Sequence, residues 1–439
     1  MRWRALLFLL FSAFGMLGST SLRAQQAVAT SPTPKVAAEP FAFGDFSWLN
    51  GGNRQPSALL ETKYVTLSVL LDANYTYSLN NPIDHTISGT TTNSRHNELN
   101  LLMASVGGDF HYQSLRGTLS VQFGNRAELV YANDPTSRRG PSSLNNILKY
   151  VREATVGIHF DVLHGLNFDV GIMTSFIGNL SYLNFENWTY QPSYIWEMTP
   201  YYFVGLRSQL FPTDRVKIEL WLVNGWQSYS KFNETPGVGL QLQWRPREWI
   251  LLSTNHYAGF DTRGVADRIR YHTDNNLQLR YYQKKESRGI GRGAFSLAAD
   301  FGCENGSGID CKRQYFLGLA VYHQLVFFRN FLAFAQGGGI VSNPGRYLVL
   351  TPPGPVPFDQ SPGSSYVTWE GLLTFDIMPT DFLTYRLEYV HRGSNTPYFA
   401  GHGGSTSPDG YSDTMVPIGF TPDRVQSEDR FTIAFLLRM

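Results

Sequence analysis

From about Lys63 onward, apolar and polar residues alternate one for one, and this period of two constrains the chain more than any other feature. In Val65, Leu67, Val69, Leu71, Ala73, Tyr75 and Tyr77 every second residue is apolar, while Thr66, Ser68, Asp72, Asn74 and Thr76 fall between them. A strand puts successive side chains on opposite faces, so each such run has one oily face and one wet face. Leu119, Val121 and Phe123 repeat the pattern, as do Ala154, Val156, Ile158 and Phe160, then Val238, Leu240, Leu242 and Trp244, and finally Tyr385, Leu387 and Tyr389. The register is less clean near Leu99 to Tyr112 and Trp249 to Tyr257. The chain holds about sixteen such segments of roughly ten residues, the length a tilted strand needs to cross a bilayer.

The connections alternate as regularly as the strands. Long polar stretches fall at about 78–96, 125–149, 174–201, 302–312, 341–365 and 393–428, with moderate ones at 227–235 and 259–269. Short turns lie between them, near Gln113, at Leu163-His164-Gly165, Pro212-Thr213-Asp214, Arg245-Pro246-Arg247, Arg329-Asn330 and Pro379-Thr380-Asp381, with an intermediate one at Gln283 to Arg292. Long structureless loops are uncommon inside compact soluble domains. Strict alternation is expected of an outer-membrane barrel, with short periplasmic turns and long surface loops. Backbone polar groups in hydrocarbon must pair within a helix or a closed barrel, and no later stretch offers the apolar run a helix needs. The expected fold is therefore all-β, an antiparallel transmembrane β-barrel of about sixteen strands. Its last strand, Arg430 to Met439, alternates to the terminus and closes the sheet against the first.

Aromatic residues gather toward strand ends, among them Tyr75, Tyr77, Tyr201, Tyr202, Tyr281, Tyr282 and Tyr389. Membrane girdles sit at that level, although burial explains any one tyrosine equally well.

The N-terminus has the order of a secretory signal peptide: Arg2 and Arg4, an apolar run from Ala5 to Leu17, and small residues before Leu22-Arg23-Ala24. The run is shorter than the roughly 20 residues of a spanning helix, so residues 1–24 are expected to be cleaved, the alternative being an uncleaved anchor. Residues 25–58 then form a periplasmic N-terminal leader and residues 59–439 the barrel. Composition excludes some classes of function. With 36 Lys+Arg against 35 Asp+Glu, there is no basic excess for binding nucleic acid, and 14% aromatic residues argue against a disordered chain.

A barrel of this size encloses an aqueous lumen, so the polar members of each alternation are the pore-lining candidates. These are Asp72, Asn74, Gln122, Glu153, Asp169, Lys217, Glu219, Gln241, Gln243, Arg245, Arg280, Asp300, Glu370, Arg386, Glu388 and Arg430. Rings of one sign would select ions; mixed signs predict weak ion selectivity and passage of small hydrophilic solutes. Pairs such as Lys217 with Glu219, or Arg386 with Glu388, are equally readable as braces of the wall. The aromatic-rich loop carrying Trp188, Tyr190, Tyr194 and Trp196 is the constriction candidate, with a packed surface cap as the alternative. Cys303 and Cys311, the only two cysteines, both fall in one surface loop and are expected to form a disulfide in an oxidising compartment. Two thiols with no nearby histidine fall short of a zinc site, and no cofactor motif is present. No residues assemble a nucleophile, base and orienter: His402 and Ser405 share a loop rich in Gly, Ser and Thr, and the chain is read as a non-enzyme.

Several blocks resemble a known family. Asp169-Val170-Gly171, Ile177-Gly178, Asn187-Trp188-Thr189-Tyr190, Gly205-Leu206-Arg207 and Val223-Asn224-Gly225-Trp226 are similar to the β-barrel porin family of the OmpL-like type. Asp72-Ala73-Asn74-Tyr75, Asn97-Glu98-Leu99-Asn100, Gln122-Phe123-Gly124 and Arg386-Leu387-Glu388-Tyr389 resemble further blocks, and the likeness runs from about residue 60 to the end. Ile172 departs from it, where the family usually has Lys. The resemblance implies an outer-membrane porin-like channel in contact with membrane lipid and small hydrophilic solutes, as a monomer or a trimer. The alternative function is a non-channel surface protein whose loops, Pro352 to Pro362 and Gly401 to Gly419, bind a partner while the barrel anchors them.

Overall fold

The computed structural model describes residues 39–131, 144–231, 233–411 and 419–439. The signal-peptide reading of residues 1–24, and the leader as far as residue 38, lie outside them. Sixteen antiparallel strands form one closed barrel. In chain order they are β1 (Val65–Ser78), β2 (Leu99–Tyr112), β3 (Leu115–Phe123), β4 (Val151–Phe160), β5 (Leu166–Thr174), β6 (Tyr202–Thr213), β7 (Val216–Val223) and β8 (Gly237–Arg247). The second half comprises β9 (Ile250–Gly259), β10 (Ile269–Gln283), β11 (Ile290–Asn305), β12 (Tyr315–Phe327), β13 (Leu332–Ser342), β14 (Val367–Thr380), β15 (Leu383–Ser394) and β16 (Ser427–Arg438). Each strand pairs with its chain neighbours, and β16 closes on β1 with Ile433 opposite Tyr75 and Ala434 opposite Asn74. Closure leaves no unpaired edge, which a sheet in hydrocarbon cannot tolerate.

The one-for-one alternation decides which face is which. Leu67, Leu71, Leu119, Phe123, Leu387, Ile433 and Phe435 are exposed on the outside, while Asp72, Asn74, Gln122, Arg386 and Glu388 are buried within. β6 and β8 run on through Pro212 and Pro246, so the turns beyond them shrink to Asp214-Arg215 and Glu248-Trp249. Proline donates nothing to a ladder and is tolerated at such strand ends.

Two placements differ from expectation. Tyr201 and Tyr202 belong to no membrane girdle: they are buried inside, Tyr201 edge-on to Trp196 at 4.5 Å and Tyr202 stacked on Tyr229 at 4.6 Å. The chain enters β6 from a segment already folded into the lumen, so these rings follow it inward. Cys303 lies within β11 rather than in the loop, opposite Tyr271 and Tyr315, and forms its disulfide with Cys311 in the following connection.

Candidate functional site

The connection between β5 and β6, residues 175–201, turns into the barrel and crosses it. Gly178 makes this entry possible: its φ is +97°, and a Cβ there would meet the Trp196 ring at 2.7 Å. Its amide donates to Asp274 Oδ2 at 2.6 Å, and Asn179 donates to Ser296 Oγ at 2.8 Å. On the opposite wall, the Tyr190 and Gln191 amides donate to Glu388 at 2.6 and 2.7 Å, and the Tyr194 amide donates to Glu370 at 2.8 Å. The Tyr190 hydroxyl donates to Asp72 at 2.6 Å. Arg386 donates to three carbonyls of the same segment, Asn184 at 3.1 Å, Thr189 at 2.9 Å and Asn187 at 2.8 Å. Trp188, Tyr190, Tyr194 and Trp196 are each at most 5% exposed. All four are buried inside the barrel, Trp188, Tyr194 and Trp196 in one apolar cluster and Tyr190 in another with Phe185 and Leu436.

A second segment enters from the short-turn end. Residues 39–61 cross that mouth, and Leu60 pairs with Leu67 of β1. Trp48 is 1% exposed; its indole donates to the Glu248 carbonyl at 3.1 Å, and its own carbonyl accepts from the Trp188 indole at 3.2 Å. Asn50 exchanges hydrogen bonds with Gln278 at 2.8 and 3.2 Å and accepts from the Trp188 amide at 2.9 Å. Gly51, with φ +78°, passes so close that a Cβ would lie 2.5 Å from the Asn179 carbonyl oxygen. The Arg245 guanidinium covers the Phe41 and Phe46 rings at 4.5 and 4.4 Å. A periodicity search passes over this stretch because it has no strand or helix pattern; Trp48 within it is the signal that could have been read.

The polar wall residues are therefore largely occupied. Asp72, Asn74, Glu370, Arg386, Glu388 and Arg430 spend hydrogen bonds on residues 184–194. Asp169 sits between Arg116 at 3.0 Å and Arg207 at 2.7 Å, and Lys217 meets Glu219 at 2.9 Å. Gln241 donates to the Phe176 carbonyl and to Asn255, Arg280 pairs with Glu248 at 2.7 Å, and His272 lies 3.3 Å from Asp300. Gln243 stands opposite Lys217 in the ladder. Among the described residues no group of three or more His, Cys, Asp or Glu is placed to hold a metal.

Open space remains on both sides of the inward segment. Toward the long loops, a cavity of about 450 Å³ is lined by Tyr201, Trp226, Asp261, Arg270, Glu304 and Tyr347 among others. Toward the short turns, one of about 590 Å³ is lined by Gln55, Arg152, Glu153, Thr174, Tyr182 and Arg438 among others. A third, small pocket of about 10 Å³ shares Tyr201 with the lining of the first and Arg152, Thr174 and Tyr182 with that of the second. Tyr182 and Tyr201 meet edge-to-face there, 6.1 Å between ring centres, and Tyr182 donates to Gln122 at 2.8 Å.

Comparison with known proteins decides the family. The family described as "Putative beta-barrel porin-2, OmpL-like" matches residues 64–421. The chain belongs to this porin family. Solved structures share the architecture at low identity. An anion-selective porin from Comamonas acidovorans is 8% identical with a TM-score of 0.51, over 85% of this chain and 99% of that one. The outer-membrane channel DcaP of Acinetobacter baumannii is 9% identical with a TM-score of 0.50, over 85% and 97%. At such identity the likeness is one of fold. No curated protein shows a significant match to the chain. As a porin-family barrel the protein resides in the bacterial outer membrane, where its apolar face contacts lipid. In this porin the Val223-Asn224-Gly225-Trp226 block positions Trp226 in the wall of the long-loop cavity, its amide donating to Asp261 Oδ1 at 2.9 Å.

Proposed function

We propose that this porin is a passive, narrow channel for small hydrophilic solutes, with weak ion selectivity and no chemical step. The observation that carries this reading is two cavities beside the inward segment and a small pocket that shares lining residues with each, which we read as the neck between them. The neck holds about one water, near the roughly 10–15 Å³ a water requires. Conduction of anything larger therefore proceeds when the Tyr182 and Tyr201 side chains move aside. Weak selectivity follows from wall charges that are mostly paired with one another, as Asp169 is with two arginines. Cleavage after Ala24 and export precede folding; residues 25–58 lead into the barrel of residues 59–439, and from residue 39 on this leader packs into the short-turn mouth.

We also propose a homo-oligomer, a trimer by analogy with other porins. Small and polar residues interrupt the apolar outer face mid-barrel: His323, Gln336, Gly338, Gly371 and His391 border one otherwise apolar groove across β12 to β15, beside Leu373 and Tyr389. Polar groups facing lipid are costly, and a second protomer would cover them. The occupied lumen also suits the alternative function, a barrel that only anchors binding loops. Liposome swelling separates the two. Vesicles carrying the refolded protein should swell with a pentose and not with a trisaccharide, and the absence of swelling with any small solute would refute the channel.

A further inference from the structure

Residues 39–61 reach across the short-turn mouth from one side to the other. At one side the Phe41 amide donates to the Asp214 carbonyl in the β6–β7 turn at 2.8 Å, and the Phe41 ring meets Phe211 edge-on at 6.0 Å. At the other, Arg54 donates to Met378 of β14 and Thr384 of β15, and Gln55 donates to the Arg438 carbonyl of β16 at 2.8 Å. These anchors lie on opposite sides of the closed barrel. Closure itself does not use the segment: β16 pairs directly with β1, and only Leu60 and Glu61 join the sheet, opposite Leu67 and Thr66. Residues 39–59 contain no helix or strand, and only Trp48, Leu49 and Asn50 among them are buried.

Those three residues sit where the segment meets the inward one. Trp188 donates to the Trp48 carbonyl and to Asn50 Oδ1, the Gly51 amide donates to the Glu186 carbonyl at 3.2 Å, and the Arg54 guanidinium covers the Phe185 ring at 4.2 Å. The wall holds the same stretch through the Trp48 indole on Glu248 and through Gln278 on Asn50. The remaining fastenings are weaker. Asp45 and Lys285 form an exposed ion pair, which adds little to stability, and the rim contacts of Arg215 with Phe43 and of Arg245 with Phe41 and Phe46 are partly exposed. A segment continuous with the barrel only at β1, and buried at one tripeptide, is a unit that opens locally without unfolding the sheet.

We propose that residues 39–58 are a displaceable plug of the short-turn mouth, with Trp48 and Asn50 as the latch that joins it to the inward segment; the proposal rests on the channel reading. Gly51, Asn53, Gln55 and Ser57 line the short-turn cavity, so the docked plug narrows the route on that side. Its release widens the mouth and takes from Trp188 both of its bonds to the plug, which loosens the inward segment as well. The docked and released states are therefore two conductance levels, one small and one larger.

Single-channel recording and maleimide labelling of the refolded full mature chain test the proposal together. Leu49→Cys reports on the plug and Leu183→Cys on the inward segment, since these leucines are 7% and 6% exposed; the native cysteines are joined in their disulfide and do not react. Wild type should stay mainly at the small level and label slowly at both reporters. Trp48→Ala truncates the latch and should raise the released population about a hundredfold. Gln278→Leu removes both wall bonds to Asn50 while leaving the plug sequence intact, and should raise it about tenfold. Both variants, with folding checked by heat-dependent gel migration, should dwell longer at the larger level and label faster at both reporters. Unchanged labelling in both variants would overturn the displaceable plug, faster labelling at Leu49→Cys alone would overturn the latch, and faster labelling at both without a change in conductance levels would overturn control of the route. Labelling reads docking without flux. Faster labelling in a protein that never conducts in any form would thus sink the channel and keep the latch, and small steps unaffected by either variant would do the reverse.

Discussion

Arg386 is the residue whose loss should open the lumen most. It is 1% exposed, it pairs with Asp376 at 2.6 and 2.8 Å, and it donates to the three carbonyls that hold residues 184–189 against β15. Arg386→Met removes those three hydrogen bonds, each worth about 1.5–3 kcal/mol to a charged donor and not additive. It also leaves the Asp376 carboxylate unpaired, and breaking a buried pair costs about 3–5 kcal/mol. Arg386→Met with Asp376→Leu removes the orphaned carboxylate and isolates the tether, while the Glu388, Asp72 and Arg430 contacts of residues 184–191 stay in place. A loss on the order of 3 kcal/mol in docking raises the undocked population more than a hundredfold. Single-channel recording of the double variant, with folding checked by heat-dependent gel migration, should show larger and noisier steps than wild type. A folded double variant with unchanged conductance would refute the tether.

Trp188→Ala with Tyr190→Ala empties the centre of the inward segment and should raise unitary conductance; an unchanged step would deny this segment a constricting role. Alkylation before reduction should label neither cysteine, and Cys303→Ser with Cys311→Ser should refold in normal yield because the ladder around residue 303 does not depend on the bridge. Burial alone would raise the Asp84 carboxyl, but the Ser405 and Thr406 amides and the Thr406 hydroxyl outweigh it and hold it below the usual carboxylate range. A carboxyl lower in the folded state stabilises above its unfolded pKa of about 3.9 and loses that contribution as pH falls through the native value. Exchange protection of the Ser405 and Thr406 amides should therefore fall in acid and already be reduced at neutral pH in Asp84→Asn; protection independent of both would contradict this.

The barrel was legible because one physical rule, apolar outside and polar inside, writes itself into every strand, and it placed Asp72, Asn74, Gln122, Arg386 and Glu388 on the inner face. The fate of that face was not legible. Alternation tells that Arg386 points inward; it does not tell that an aromatic loop will take its hydrogen bonds. Tyr201 and Tyr202 read like girdle residues because sequence position marks a strand end but not the direction from which the chain arrives. Trp48 stands in a stretch with no period, so the one signal there is the tryptophan itself, and its place in the lumen comes only from its packing. Arg270 and Glu304 face each other in one hairpin, but Asp261 and Tyr347 come from two different connections, and only the packing of those connections brings them to the same cavity.

The central claim is a conducting route beside the inward segment, and planar-bilayer recording of the refolded mature chain tests it most directly. The account predicts small, discrete steps with a reversal potential near zero in a salt gradient. A barrel that is folded and inserted yet never conducts would contradict it.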